Sequence, residues 1–180
     1  MSREVVLLRG VNVGGRTLSM AALRDALAAA GCTDVTTYIQ SGNVVLTAPK
    51  RAKSSLPSWF ERIVADVAGY DVPVVLRSRA EIHRTIARNP YPDHGGKELH
   101  VVFFAKAPPQ SVVTGVDLDV FAPERCTLIE RDLYLHLPNG MGRAKLPLAL
   151  DKAGRKVKPP ALGTARNWNT VLKLADLADA

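Results

Sequence analysis

The chain has 180 residues, of which 47% are hydrophobic and 23% charged, a balance ordinary for a folded protein rather than a disordered one and sufficient for one substantial domain or two small ones. Its 24 Lys and Arg against 17 Asp and Glu leave a formal net charge of +7, so anionic partners are electrostatically favoured. No stretch approaches the ~20 apolar residues of a membrane span, the N-terminal apolar run is too short for a secretory signal, and two cysteines without CxxC spacing make neither a disulfide framework nor a thiolate metal site, so a cytoplasmic protein with buried thiols is expected.

In chain order, "EVVLLR" predicts a strand, and "LSMAALRDALAAAG" a helix with Met20, Leu23, Leu27 and Ala30 on one face and Gly31 as its stop. "VTTYIQ" and "NVVLTA" predict a hairpin across Ser41 and Gly42. A second helix is predicted in "SSLPSWFERIVADVAG", with Leu56, Phe60, Ile63, Val64 and Val67 inward, Ser55 as N-cap and Pro57 in the first turn. "VPVVLR" closes a strand, helix, strand, strand, helix, strand order, which is the ferredoxin-like split βαβ arrangement. Beyond it, Ser78 and Glu81 form a capping box for a helix over "SRAEIHRTIAR". "ELHVVFFA" predicts a strand, "PPQSVVTGV" is ambiguous, "CTLIE" and "LYLHL" predict a second hairpin, and "KLPLALDKAG" and "NWNTVLKLADLADA" predict helices. The expected fold is therefore α+β: two tandem ferredoxin-like units, residues 1–77 and a second α/β unit with C-terminal helices over 78–180, packed into one compact protein. The strand cores "VVLL", "VPVVL" and "VVFF" are continuously apolar, so both faces of the sheets should be covered.

The segment "LLRGVNVGGRT" leaves the first strand through three glycines, an asparagine and two arginines. Its "GVNVGGRT" has phosphate-loop spacing with Arg16 in the lysine position, but the helix starts only near Ser19 and no later strand ends in a magnesium-binding Asp. The dinucleotide fingerprint GxGxxG is absent. The split βαβ order instead brings the loop and the first hairpin turn to one sheet edge, so Arg9, Asn12, Gly14 and Gly15 should approach Gln40, Ser41, Gly42 and Asn43. Amides, carboxamides and a guanidinium in one place are the ingredients of a nest for a small phosphate- or carboxylate-bearing ligand. The competing reading is that Asn12 and Asn43 satisfy turns and the glycines supply positive φ.

The ordered motifs "LLRGVNVGG", "TYIQSGNVV", "GMGRAKL" and "TARNWNTVLKL", spread over residues 7 to 174, resemble the signature of the bacterial family known as domain of unknown function 1697. The resemblance implies a compact α+β protein of tandem ferredoxin-like units and supplies no reaction. The sequence departs from the family pattern at Arg16, where lysine is common, and in the basic, proline-rich "DKAGRKVKPPALG".

The later motifs add Arg143 and Lys145, and Arg166, Asn167 and Asn169 around the start of the last helix, where a helix N-terminus suits an anion. Arg143, Lys145 or Arg166 is expected to reach the same cleft from the second half. Asn167 or Asn169 can equally be a simple N-cap, and Trp168 belongs to the apolar helix face. No nucleophile, base and orienter are readable as a set, so the sequence names no reaction and implies no cofactor. His83, His94, His100 and His136 are scattered without ligand spacing for a metal. The rival readings are a sequence-nonspecific nucleic-acid-binding module, motivated by Lys152, Arg155, Lys156 and Lys158, and a structural or interaction subunit such as a homodimer.

Overall fold

Strand β1 (Ser2–Leu8) carries the uninterrupted run Val5 to Leu8, and all four side chains are buried, as a strand covered on both sheet faces requires. In the computed structural model, which describes residues 2–50 and 55–180, β1 is followed by α1 (Met20–Ala29), β2 (Thr33–Tyr38), β3 (Asn43–Ala48), α2 (Leu56–Ala68) and β4 (Val74–Ser78). The four strands form one antiparallel sheet in the order β2-β3-β1-β4. Helix α1 starts where expected, with Ser19 Oγ accepting a hydrogen bond from the Ala22 amide at 3.2 Å. Ser55 makes no such side-chain bond, so the entry to α2 rests on Pro57, whose fixed φ suits the first turn. Ser54, which opens the expected helical stretch, lies outside the described residues. Met20, Leu23 and Leu27 of α1 and Leu56, Phe60 and Val64 of α2 cover one sheet face, packing with Val6, Leu8, Val44, Leu46 and Val74. Val5, Leu7, Val45 and Val75, on the opposite face, are buried as well.

The second set comprises α3 (Arg79–Ala87), β5 (Leu99–Phe104), α4 (Ser111–Thr114), β6 (Arg125–Ile129), β7 (Asp132–His136), α5 (Leu146–Lys156), β8 (Gly163–Asn167) and α6 (Trp168–Asp179). Its antiparallel sheet has the order β6-β7-β5-β8. The ambiguous "PPQSVVTGV" resolves into the one-turn α4. Strand β8 is absent from the sequence-based expectation, because its inward residues are Thr164 and Arg166 and leave no apolar pattern to read. A second core forms from Phe104, Leu133, Leu135, Leu137, Leu146 and Leu150.

With β8 included, β5-α4-β6-β7-α5-β8 repeats the element order of β1-α1-β2-β3-α2-β4. The register repeats too: Val5 lies opposite Val45 and Arg77, and Val101 lies opposite Tyr134 and Arg166. Arg77 and Arg166 are both buried, and each donates to the carbonyl of its preceding residue, Leu76 at 2.9 Å and Ala165 at 2.8 Å. The architecture is thus α+β, with two four-stranded antiparallel sheets and six α-helices among the described residues. By spatial clustering the chain divides into two compact units, one of Met1–Arg84 with Lys173–Ala180 and one of Thr85–Leu172. Among the described residues, no helix is long and apolar enough to cross a membrane.

Candidate functional site

In the first unit, the loop after β1 and the turn between β2 and β3 meet at one end of the sheet, because Leu7 pairs with Asn43 in the register of β1 and β3. The Leu8 amide donates to the Gly42 carbonyl at 2.8 Å, and the Asn12 carboxamide donates to the Gln40 carbonyl at 2.6 Å. Asn12 also bridges its own loop, accepting from the Leu18 amide at 2.8 Å and donating to the Leu18 carbonyl at 3.3 Å. Its φ of 53° is unusual for a side-chain-bearing residue and most tolerable for asparagine. Asn43 is fully buried, and its carboxamide donates to the Tyr38 carbonyl and to Ser41 Oγ. Both asparagines therefore build the junction.

Gly42 is required where it stands. Its φ is +74°, and a Cβ there would come within 2.7 Å of Leu8 Cβ and Val11 Cγ2. The other side of the junction is open: Gly10, Gly14 and Gly15 have positive φ and nothing within 4 Å of a would-be Cβ. Among the described residues, the amides of these three glycines donate to no protein acceptor. Arg16 extends over the Tyr70 ring at 5.3 Å from its centroid, while the Tyr70 hydroxyl reaches the Thr17 carbonyl at 3.5 Å. Arg9 is half-buried, and its amide donates to the Pro73 carbonyl at 3.0 Å. Gln40 and Ser41 are exposed.

The four remaining candidates lie in the second unit. The Lys145 and Leu146 amides, at the start of α5, both donate to the Glu124 carboxylate, so an internal anion already occupies that helix terminus. Lys145 and Arg143 are exposed. Asn167 Oδ1 accepts from the Thr170 amide at 2.9 Å and caps α6. Arg166 is almost wholly buried, with its guanidinium on Thr164 Oγ1 and the Ala165 carbonyl, and burial pushes its pKa down to about 10. Trp168 is 8% exposed and serves the core, as expected. In the basic run, Arg155 is paired to Asp151 at 2.7 Å along α5.

One constellation has no counterpart in the sequence reading. The segment between α3 and β5 is folded by Asn89, whose Oδ1 accepts from the Tyr91 amide, and by turns closed from the His94 amide to the Tyr91 carbonyl and from the Glu98 amide to the Gly95 carbonyl. Those turns set His94 and Glu98 beside the end of β7, where the Leu137 amide donates to the Glu98 carbonyl at 2.7 Å. The His94 and His136 rings consequently stack, with centroids 3.8 Å apart. On one edge, Glu98 Oε2 is 3.6 Å from His94 Nδ1 and 3.7 Å from His136 Nε2. On the other, Arg125 Nη2 is 3.5 Å from His94 Nε2 and 3.3 Å from His136 Nδ1, and the guanidinium lies 5.4 Å from the Tyr91 centroid. Burial, His94 and Arg125, in that order, hold the His136 imidazole below its ordinary pKa. His136, Arg125 and Tyr91 open onto a cleft of about 490 Å³ that also includes Asp119, Glu124 and Cys126. The histidines counted as scattered along the chain are, for this pair, neighbours. The signal is invisible in sequence because the partners are 42 residues apart (136 − 94) and meet only through the turns after Asn89 and the pairing of β5 with β7.

The conserved bacterial protein SP0830 from Streptococcus pneumoniae has a similar solved structure, with a TM-score of 0.74 over 100% of this chain and 99% of that one, at 22% identity. That likeness shows the fold. No curated protein matches the sequence. A family model described as protein of unknown function (DUF1697) matches residues 1–134, a span that holds "LLRGVNVGG" and "TYIQSGNVV" together with both strands of the junction they build. The chain belongs to that family.

Proposed function

We propose that this protein binds a small anionic ligand, bearing a phosphate or carboxylate, where the loop after β1 meets the β2-β3 turn. The observation that carries the reading is the pairing of a fastened backbone with uncommitted donors. Asn12 and Gly42 fix the loop to the turn, while the amides of Gly10, Gly14 and Gly15 have no protein acceptor among the described residues. Backbone amides gathered in turn conformations form concavities that suit anions. Arg9 and Arg16 flank these glycines and supply charge for a compact ligand. Asn12, Asn43, Ser41 and Gln40 act in this reading by holding the loop and turn in place, and Gly14 and Gly15 by presenting amides. The strand orders support a further reading, that the chain is two tandem ferredoxin-like units over residues 1–77 and 78–180, each with its first and second strands parallel and the third between them.

A thermal-shift panel of nucleotides, sugar phosphates and organic acids tests the ligand reading. A ligand at 100 times its Kd stabilises by about 2.7 kcal/mol, or roughly 5 to 10 °C for a chain of this size. At that concentration Arg9→Ala should cut the stabilisation to about half or less, and Lys156→Ala should preserve it. A panel without any stabilising anion refutes the reading, as does a shift that Arg9→Ala leaves undiminished.

A further inference from the structure

We infer that His94, Glu98 and His136 form a binding site for one divalent transition-metal ion of the zinc or cobalt class. Each residue offers one donor atom, and the three donors lie within 4.8 Å of one another. The carboxylate oxygen is 3.6 and 3.7 Å from the two imidazole nitrogens, separations too long for hydrogen bonds. They match two donors sharing an ion held at about 2.0 to 2.2 Å from each. The second observation is His136 itself. Its side chain is only 6% exposed, and its Nε2 is buried, has no hydrogen-bond partner and faces Glu98. A buried imidazole nitrogen without a partner is costly, and a metal ion would satisfy it. Two imidazoles and one carboxylate are a borderline donor set suited to zinc, cobalt, nickel or iron rather than to calcium or magnesium, and three protein ligands leave a position open to water or an exogenous ligand.

Arg125 determines how readily the site fills. Its guanidinium, which can only donate, faces the nitrogens on the far edges, His136 Nδ1 at 3.3 Å and His94 Nε2 at 3.5 Å, and as acceptors these leave the ring protons on the Glu98 edge. Coordination through His136 Nε2 moves that ring's proton to Nδ1, which can then no longer accept from Arg125. The metal and Arg125 therefore favour opposite tautomers of the His136 ring. Arg125 is exposed, whereas His136 is buried at the end of β7.

Titration of the full, untagged chain with Co²⁺ and Zn²⁺, followed by calorimetry and by the visible absorption of bound Co²⁺, tests the site. One ion per chain is expected, with a Co²⁺ spectrum of nitrogen and oxygen ligation. His94→Ala and Glu98→Gln, both outside the core, should each weaken binding at least tenfold, His83→Ala should leave it unchanged, and Arg125→Gln should tighten it. Absence of saturable binding would overturn the proposal, as would binding that both His94→Ala and Glu98→Gln leave intact in chains with native circular dichroism.

Discussion

Individual residues here divide into those that build and those available for binding. Asn12 is the clearest builder: one carboxamide closes its own loop on Leu18 and ties it to Gln40. Sequence alone placed Asn12 at the right edge, because the hairpin and strand order could be read from apolar runs, but the direction of its hydrogen bonds depends on three segments at once. Cys126 permits a direct check on side-chain environment. Burial pushes its thiol up to about 11, so at pH 7.5 almost none is thiolate, the reactive form. N-ethylmaleimide should therefore label Cys126 about two orders of magnitude more slowly in the native protein than in urea. Equal rates in the two states would contradict the described environment.

At the scale of elements, capping chemistry was legible where it is local and illegible where it is not. The Ser78 and Glu81 box is formed in both directions, the Ser78 amide donating to Glu81 Oε2 at 2.7 Å and the Glu81 amide to Ser78 Oγ at 3.3 Å. Asn167 repeats the Ser78 role one unit later. Ser78→Ala and Asn167→Ala should each cost about 1 kcal/mol in urea unfolding, and a cost near zero for both would show that these helix starts need no side-chain cap. The Glu124 carboxylate on α5 could not be foreseen, since 21 residues (145 − 124) separate donor and acceptor. Strand β8 escaped notice for the related reason that its inward residues, Thr164 and Arg166, are polar.

The helix ends also carry a measurable charge cluster. Asp179 at the end of α6 meets His83 at 2.8 Å and Arg79 at 2.5 Å, both on α3, and these two hydrogen bonds hold its carboxyl below the ordinary value of 3.8. A depressed carboxylate contributes stability that is present above the unfolded value near 3.8 and is lost as pH falls through the lower folded value. The contribution of such an exposed cluster is small. Titration of Asp179 by carbon-detected nuclear magnetic resonance should show its pKa rising in both His83→Ala and Arg79→Ala. An unchanged midpoint in the two variants would rule out the pairing in solution.

For the whole molecule, the repeated order of strands and helices was largely readable, because the apolar runs and helical stripes of the first unit are strong and those of β5 and β7 nearly so. The repeat became complete only with β8. Charge was a weaker guide. The net +7 suggested anions without saying where, and part of the basic run on α5 is neutralised by the pairing of Arg155 with Asp151. The ligand-binding reading therefore rests on the first unit's loop rather than on overall charge. Its most direct test is calorimetric titration of the stabilising anion from the thermal panel into the wild-type chain and Arg9→Ala. The account predicts one ligand per wild-type chain and an affinity lower by roughly 10- to 100-fold in the variant, the equivalent of losing a charge-assisted bond of about 1.5 to 3 kcal/mol. Equal affinity in the two proteins, or affinity that falls instead in Lys156→Ala, would contradict it.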